Sequence, residues 1–380
     1  MNTQIATPYT ALTVQPANDL RELNIYDSSY QLSTLEKQLA YLEGGYNTLA
    51  AKSFRSARFS LIRQLAKNKP YRVLSYEPLS VWAEDLAVYK RSDIEIIYAG
   101  KYAESSIKEI VRAEKINLVY IASIGSDTLS VENHERIISQ AHAASVQVVF
   151  DNTAGGLGSI ARPLTKHADY VLVNTEESLY TKTGIGAYIA EGLAPHNADS
   201  LSSSSLLDRL KQKRAHVKKQ PFLIPLDEEA IAVHLQKEAN VQQVYAKNTF
   251  TLAKWLNQVS EIAEVNYSGL KISLSFDNAE ESLLGGYGSV LKFNVWDTAF
   301  SHNLLRSFFI AGRPAGLYIH TDNELKEFKV IIRSEQSNQI LGYFERVFAQ
   351  LTGELESRRL LKKRLQLEAA VQQLLQSHLN

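Results

Sequence analysis

The sequence predicts an α/β protein: a large domain around a mostly parallel sheet of about seven strands, followed by a smaller α+β domain. Three observations predict it. From residue 72 short apolar runs alternate with amphipathic stretches. Those runs are apolar on both faces, as strands covered by helices on each side must be. The chain has 380 residues, 45% apolar and 22% charged, enough to bury a large core and to form two domains.

In chain order, Leu35–Glu43 and Asn47–Ala66 read as two helices broken by Gly44-Gly45. Arg72–Tyr76, Ile94–Ala99, Asn117–Ser123, Gln147–Thr153 and Tyr170–Asn174 read as strands, with clear helices at Ser105–Ala113 and Glu132–Ala143. Strands joined by helices imply right-handed crossovers and place functional side chains at strand carboxyl ends, where Asp151 falls. Four serines at 202–205 and the basic stretch Lys211–Lys219 mark a solvated helix or loop at a domain junction. A long helix near Val241–Gln258 follows, then Val290–Val295 and Lys329–Arg333, which alternate like antiparallel strands. The expected division is 1–45 N-terminal segment and helix, 46–215 large domain, 216–352 long helix and smaller domain, and 353–380 amphipathic helix. In that tail Leu360, Leu367 and Leu374 recur every seven residues with Val371 between, which suits a helix packed on its own domain or a partner helix.

With 41 basic and 41 acidic side chains there is no net field to draw nucleic acid or an acidic membrane surface. Cysteine is absent, which excludes disulfides, thiolate metal sites and a cysteine nucleophile. Met1–Leu20 is polar and lacks the apolar core of a signal peptide, and no run of about 18 apolar residues occurs, so a cytoplasmic protein without a membrane span is expected. The nine histidines show no metal-ligand spacing, so no metal site is expected. Gly155-Gly156-Leu157-Gly158 and Gly285-Gly286-Tyr287-Gly288 lack the remainder of a nucleotide-binding fingerprint and read as turns.

The chemistry-bearing stretch is Val148-Val149-Phe150, ending on Asp151-Asn152-Thr153, then Arg162-Pro163-Leu164, Ala168-Asp169 and the apolar strand Tyr170–Val173. Together with Leu35–Gly45, Asn248, Trp255-Leu256, Val265–Leu270 and Gly285–Phe293, it resembles the cystathionine γ-synthase-like (Cys/Met metabolism, trans-sulfuration) family of pyridoxal-phosphate enzymes, from Leu35 to Leu351. The resemblance implies the fold type I architecture. It also implies that Asp151 faces the pyridine nitrogen and that a lysine just past the second strand holds the cofactor as a Schiff base. By ungapped register that lysine is Glu177, which has no amine to condense.

Other departures follow. The family's serine-glycine-methionine phosphate turn reads Ser53-Phe54-Arg55, where phenylalanine restricts the backbone and Arg55 is the candidate anion contact. The segment that reaches a neighbouring subunit's phosphate has no match in Tyr26–Thr34. The asparagine beside the cofactor's 3′-oxygen aligns with Ser126, and the stacking tyrosine aligns with Ser80, with Trp82 two residues on as a substitute face. The family's serine and threonine near the lysine become Asn174 and Glu176, and Glu176-Glu177 would repel a phosphate. The carboxylate-binding arginine aligns with Lys329, with Arg333 four residues on.

These departures point to a degenerate member with no covalently bound cofactor, acting as a pseudoenzyme, silent subunit or scaffold. As partner they imply a second copy or a paralogue, in a homo-oligomer or heteromer. The alternative is an active carbon-sulfur lyase or synthase that binds pyridoxal phosphate through a displaced Lys182, in Tyr180-Thr181-Lys182-Thr183-Gly184. A third is new chemistry with Glu177 as general base.

Overall fold

The computed structural model describes residues 34–51, 53–66, 70–102, 106–179, 185–193, 206–216 and 228–353. The chain forms two compact units, Met1–Lys247 with Tyr267–Ser289, and Asn248–Asn266 with Val290–Asn380. The division runs through a helix, where a boundary at 216 was expected from the sequence.

The first unit is built on a seven-stranded sheet of β1 (Asn47–Ala51), β2 (Tyr71–Ser75), β3 (Ile94–Tyr98), β4 (Leu118–Ala122), β5 (Gln147–Asp151), β6 (Tyr170–Asn174) and β7 (Ala187–Glu191), in the order β1-β7-β6-β5-β4-β2-β3. β3, β2, β4, β5 and β6 run parallel, and β7 is antiparallel to both its neighbours, β6 and β1. Asp151 therefore ends the central strand of seven.

Alternate residues of each strand feed two cores, as the two-residue period of a strand requires. On one face Val119, Ile121, Val148, Phe150, Val171 and Val173 pack with α1 (Thr34–Glu43), α4 (Ile107–Glu114), α5 (His134–Ala143) and the start of α8 (Glu228–Leu256). On the other, Leu118, Tyr120, Val149, Tyr170 and Leu172 meet α2 (Phe54–Leu65), α3 (Leu86–Arg91) and α7 (Leu206–His216). α6 (Thr175–Leu179) follows β6 directly, and α9 (Phe276–Ser282) completes the unit. Ser106 and Glu109 form a reciprocal capping box that starts α4, and Asn133 caps α5. Gly44 ends α1 at φ +73, and a Cβ there would lie 2.6 Å from Thr165 Cγ2.

The second unit holds a four-stranded antiparallel sheet, β8 (Ile262–Asn266), β9 (Val290–Val295), β10 (Leu317–Thr321) and β11 (Glu327–Ile332), in the order β10-β11-β9-β8. α10 (Thr298–Ile310) and a helix over 337–353 belong to it. Its core is aromatic: Phe293 stacks on Phe328 at 4.9 Å, and Phe308 meets Phe344 edge-on at 5.2 Å. The expected tail helix lies outside the described residues from 354 on.

Two local expectations are corrected. Asn47–Ala66 is not one helix. Asn47–Ala51 is a fully buried strand, because pairing with β7 outweighs the helix propensity of its alanines and leucine, and Ser53 then caps α2. Of the basic stretch Lys211–Lys219, expected to be solvated, Lys211 is buried on α7 with its ammonium 2.8 Å from Asn47 Oδ1 and 3.4 Å from Glu36, and the side chains of 212–219 lie outside the described residues.

No helix among the described residues is long and apolar enough to cross a membrane.

Candidate functional site

Asp151 stands at the carboxyl end of β5 and is buried. Its Oδ1 accepts the Thr153 backbone N–H at 3.1 Å and the Thr153 hydroxyl at 2.6 Å, while Oδ2 accepts the Tyr120 hydroxyl at 3.1 Å. Tyr120 reaches it because β4 and β5 pair in register, Ala122 against Asp151, so a side chain two residues back on β4 lies on the same face. Burial pushes the Asp151 carboxyl up; the Thr153 and Tyr120 hydrogen bonds and the nearby Arg58 oppose the shift.

Arg58 is a buried cation supplied by α2. Its guanidinium pairs with Asp85 at 2.8 Å and lies 4.2 Å from the centre of the Trp82 ring. Trp82 is fully buried, edge-on to Tyr120 at 4.7 Å and Tyr89 at 5.5 Å, with its Nε1 donating to Ser75 Oγ at 3.0 Å. Trp82 is therefore a core residue. The expectation that it offers a face to a cofactor ring is corrected, because protein atoms already cover it.

Ser126, in the loop after β4, gives its backbone N–H at 3.1 Å and its hydroxyl at 2.6 Å to Glu77 Oε2. Glu77 is buried, and burial pushes its carboxyl up to about 6, with the Ser126 hydrogen bond opposing and Asp151 adding. Two carboxylates thus share the region around the strand ends.

Glu177 lies on α6 with its side chain exposed. Asn174 Oδ1 accepts the Glu177 backbone N–H at 3.3 Å and Asn174 Nδ2 donates to Glu177 Oε2 at 3.2 Å, so Asn174 and Glu177 serve each other at the start of that helix. Asn174 N–H in turn donates to Thr153 Oγ1 at 3.0 Å, which continues the chain to Asp151. Glu176 is exposed beside it. Ser53 caps α2, accepting Ser56 N–H at 3.3 Å and donating to Ser56 Oγ at 2.9 Å. Arg55 is held by Asp85 and by the Glu84 carbonyl at 2.7 Å.

Lys329 lies on β11 opposite His320 and Lys292, and Arg333 follows the same strand, its N–H on Gly316 O at 2.7 Å; both belong to the second unit. Lys182 lies outside the described residues. The structure brings together Asp151, Thr153, Asn174 and Glu177, and separately Ser126 with Glu77. Sequence inspection missed Arg58, Glu77 and Tyr120. The one signal available was Glu77, an acid directly after an apolar strand and before Pro78.

Set against a phosphorylated pyridine ring, the groups that the resemblance assigns to it are engaged within the protein: Asp151 by Tyr120 and Thr153, Ser126 by Glu77, Arg55 by Asp85, Asn174 by Glu177.

The Cys/Met metabolism PLP-dependent enzyme profile matches residues 22–177. The homocysteine/cysteine synthase of Saccharomyces cerevisiae is 27% identical over 70% of this chain, and the match spans 65% of that enzyme's length. The O-acetyl-L-homoserine sulfhydrylase 1 of Thermus thermophilus is 25% identical over 76% of this chain and 75% of its own. Among solved structures, the O-acetylhomoserine sulfhydrylase of Wolinella succinogenes superposes with a TM-score of 0.67 at 18% identity, over 82% of this chain and 95% of that one. The apo methionine gamma lyase CalE6 of Micromonospora echinospora gives 0.66 at 18% identity, over 83% and 85%. These structural likenesses establish the pyridoxal-phosphate fold type I architecture, and in sequence the chain is similar to Cys/Met metabolism PLP-dependent enzymes, over residues 22–177 for the family profile.

Proposed function

We propose that this chain is a non-catalytic member of the trans-sulfuration family, a silent subunit or scaffold that assembles with a second copy or a paralogue. The observation that supports it is that Asp151 and Ser126, the two groups that would hold a cofactor ring, are answered by Tyr120 and Glu77 of the chain itself. The residues described do not fit a covalently held pyridoxal phosphate. At the register of the Schiff-base lysine stands Glu177, a carboxylate committed to Asn174. Glu176 and Glu177, both exposed on α6, set negative charge where the family resemblance would put a dianionic phosphate ester, and Arg55 is already paired with Asp85. Arg58 and Tyr120 supply a cation and a donor for Asp151 without any bound ring.

Such a protein works by its surface. The relatives are named as homocysteine, cysteine and O-acetylhomoserine-processing enzymes; the role proposed is to complete or position an active subunit of that kind. The test is to add pyridoxal phosphate to the full-length protein, desalt, and record the visible spectrum. No retained cofactor is expected, and a stoichiometric, desalting-resistant visible band would contradict the proposal.

A further inference from the structure

The α4–α5 face of the first unit contains a cavity of about 320 Å³ at the carboxyl ends of β2 and β3. Tyr76, just past β2, Tyr98, the last residue of β3, and Tyr102 provide aromatic walls. Ile107, Ile110 and Ile137 provide apolar lining; Glu132 stands just before the Asn133 cap of α5 and Arg136 in its first turn. Gly100 keeps the Tyr98 ring in place, since a Cβ there would fall 2.5 Å from it.

Tyr102 and Asn133 of this cavity are engaged by Glu114 and Glu281, but other polar groups of its lining have no protein partner. Among the described residues the side chains of Tyr76, Tyr98, Glu132, Arg136 and Gln140 make no hydrogen bond and no ion pair within 4 Å. Glu132 is half-buried and feels Arg136, and both act on the phenol of Tyr76, so the three are close neighbours. The half-buried Glu132 carboxylate and the exposed Arg136 guanidinium face one cavity without closing on each other, so both are available to opposite charges of a ligand. The volume lies at the lower end of the range of about 300–1000 Å³ typical of small-ligand pockets. A phosphate ester would meet the Glu132 carboxylate, and a simple amine would meet the Arg136 guanidinium.

We propose that this cavity, distinct from the Asp151 region, is a small-molecule site for a zwitterionic α-amino acid with an apolar or aromatic side chain. The ligand's carboxylate pairs with Arg136, its ammonium with Glu132, and its side chain packs among Tyr76, Tyr98 and the isoleucines. No bond is made or broken. Arg136 is exposed and Glu132→Gln preserves shape, so neither change should disturb the fold.

The experiment is calorimetric titration of the full-length protein with L-phenylalanine, and with phenethylamine and hydrocinnamate as analogues that keep one head group each. Binding of L-phenylalanine is expected, with both analogues and the variants Glu132→Gln and Arg136→Met weaker by at least about tenfold at unchanged melting temperature. Three results overturn the site: no heat with L-phenylalanine at millimolar concentration, equal binding of a one-headed analogue, or binding that survives both variants. Binding that is lost in Glu77→Gln but kept in Arg136→Met would place the ligand in the Asp151 region and overturn it as well. Failure here leaves the cofactor spectrum of the preceding test untouched, so the two proposals stand or fall separately.

Discussion

Ser126 gives both its backbone N–H and its hydroxyl to a single oxygen of Glu77, at 3.1 and 2.6 Å. The two Ser126 donors favour the anionic form of this buried carboxylate against the burial that raises its pKa. Ser126→Ala is expected to cost about 1–3 kcal/mol at pH 8, where Glu77 is ionised, and less at pH 5, where it holds its proton. Urea unfolding of the two proteins at both pH values checks this, and an equal loss at the two would contradict it.

Arg58 carries the charge balance of the core between α2 and the sheet. Removing it leaves buried Asp85 with Arg55 but without its 2.8 Å partner, and takes from Asp151 the cation that favours its ionised form. Arg58→Met should therefore destabilise by about 3–5 kcal/mol. Adding Asp151→Asn should recover part of that loss in a double-mutant cycle, measured as urea midpoints; strict additivity would remove Arg58 as the internal counter-ion.

Glu43 is fully buried, with Oε1 on the Tyr188 hydroxyl at 2.6 Å and Oε2 on Asn152 Nδ2 at 2.8 Å. Burial pushes its carboxyl up to about 7, the two hydrogen bonds and Arg162 opposing. The folded chain keeps this proton while the unfolded chain releases it near 4.5. Its favourable contribution is thus present below about 4.5 and lost as the pH rises through about 7. The displacement corresponds to roughly 3 kcal/mol, so Glu43→Gln should gain about that much on the wild type between pH 4.5 and pH 8. Thermal unfolding across that interval reads the difference, and a constant offset would contradict the assignment.

What the sequence made legible was what is local or periodic. Tyr170–Asn174 is an apolar run bounded by Asp169 and Thr175 and is the strand expected, and Ser106 with Glu109 marks the start of α4 within four residues of chain. β1 was misread because Asn47–Ala51 has the composition of a helix and becomes a strand only through β7, nearly the whole domain away in sequence. The candidate site was legible at Asp151, whose strand-end position the structure keeps. It was not legible at Glu77 and Arg58, whose partners Ser126 and Asp85 lie 49 and 27 residues away. Such pairings leave no period in a single sequence. Trp82 was ambiguous for the same reason, since only Tyr89, Tyr120 and Arg58 together reveal that its ring is covered.

The central claim is that the chain forms no Schiff base with pyridoxal phosphate, and borohydride reduction followed by peptide mapping of the full-length protein tests it most directly. The account predicts no stoichiometric pyridoxyl-lysine, with at most scattered substoichiometric labelling of surface lysines. A single stoichiometric adduct at Lys182 would contradict it.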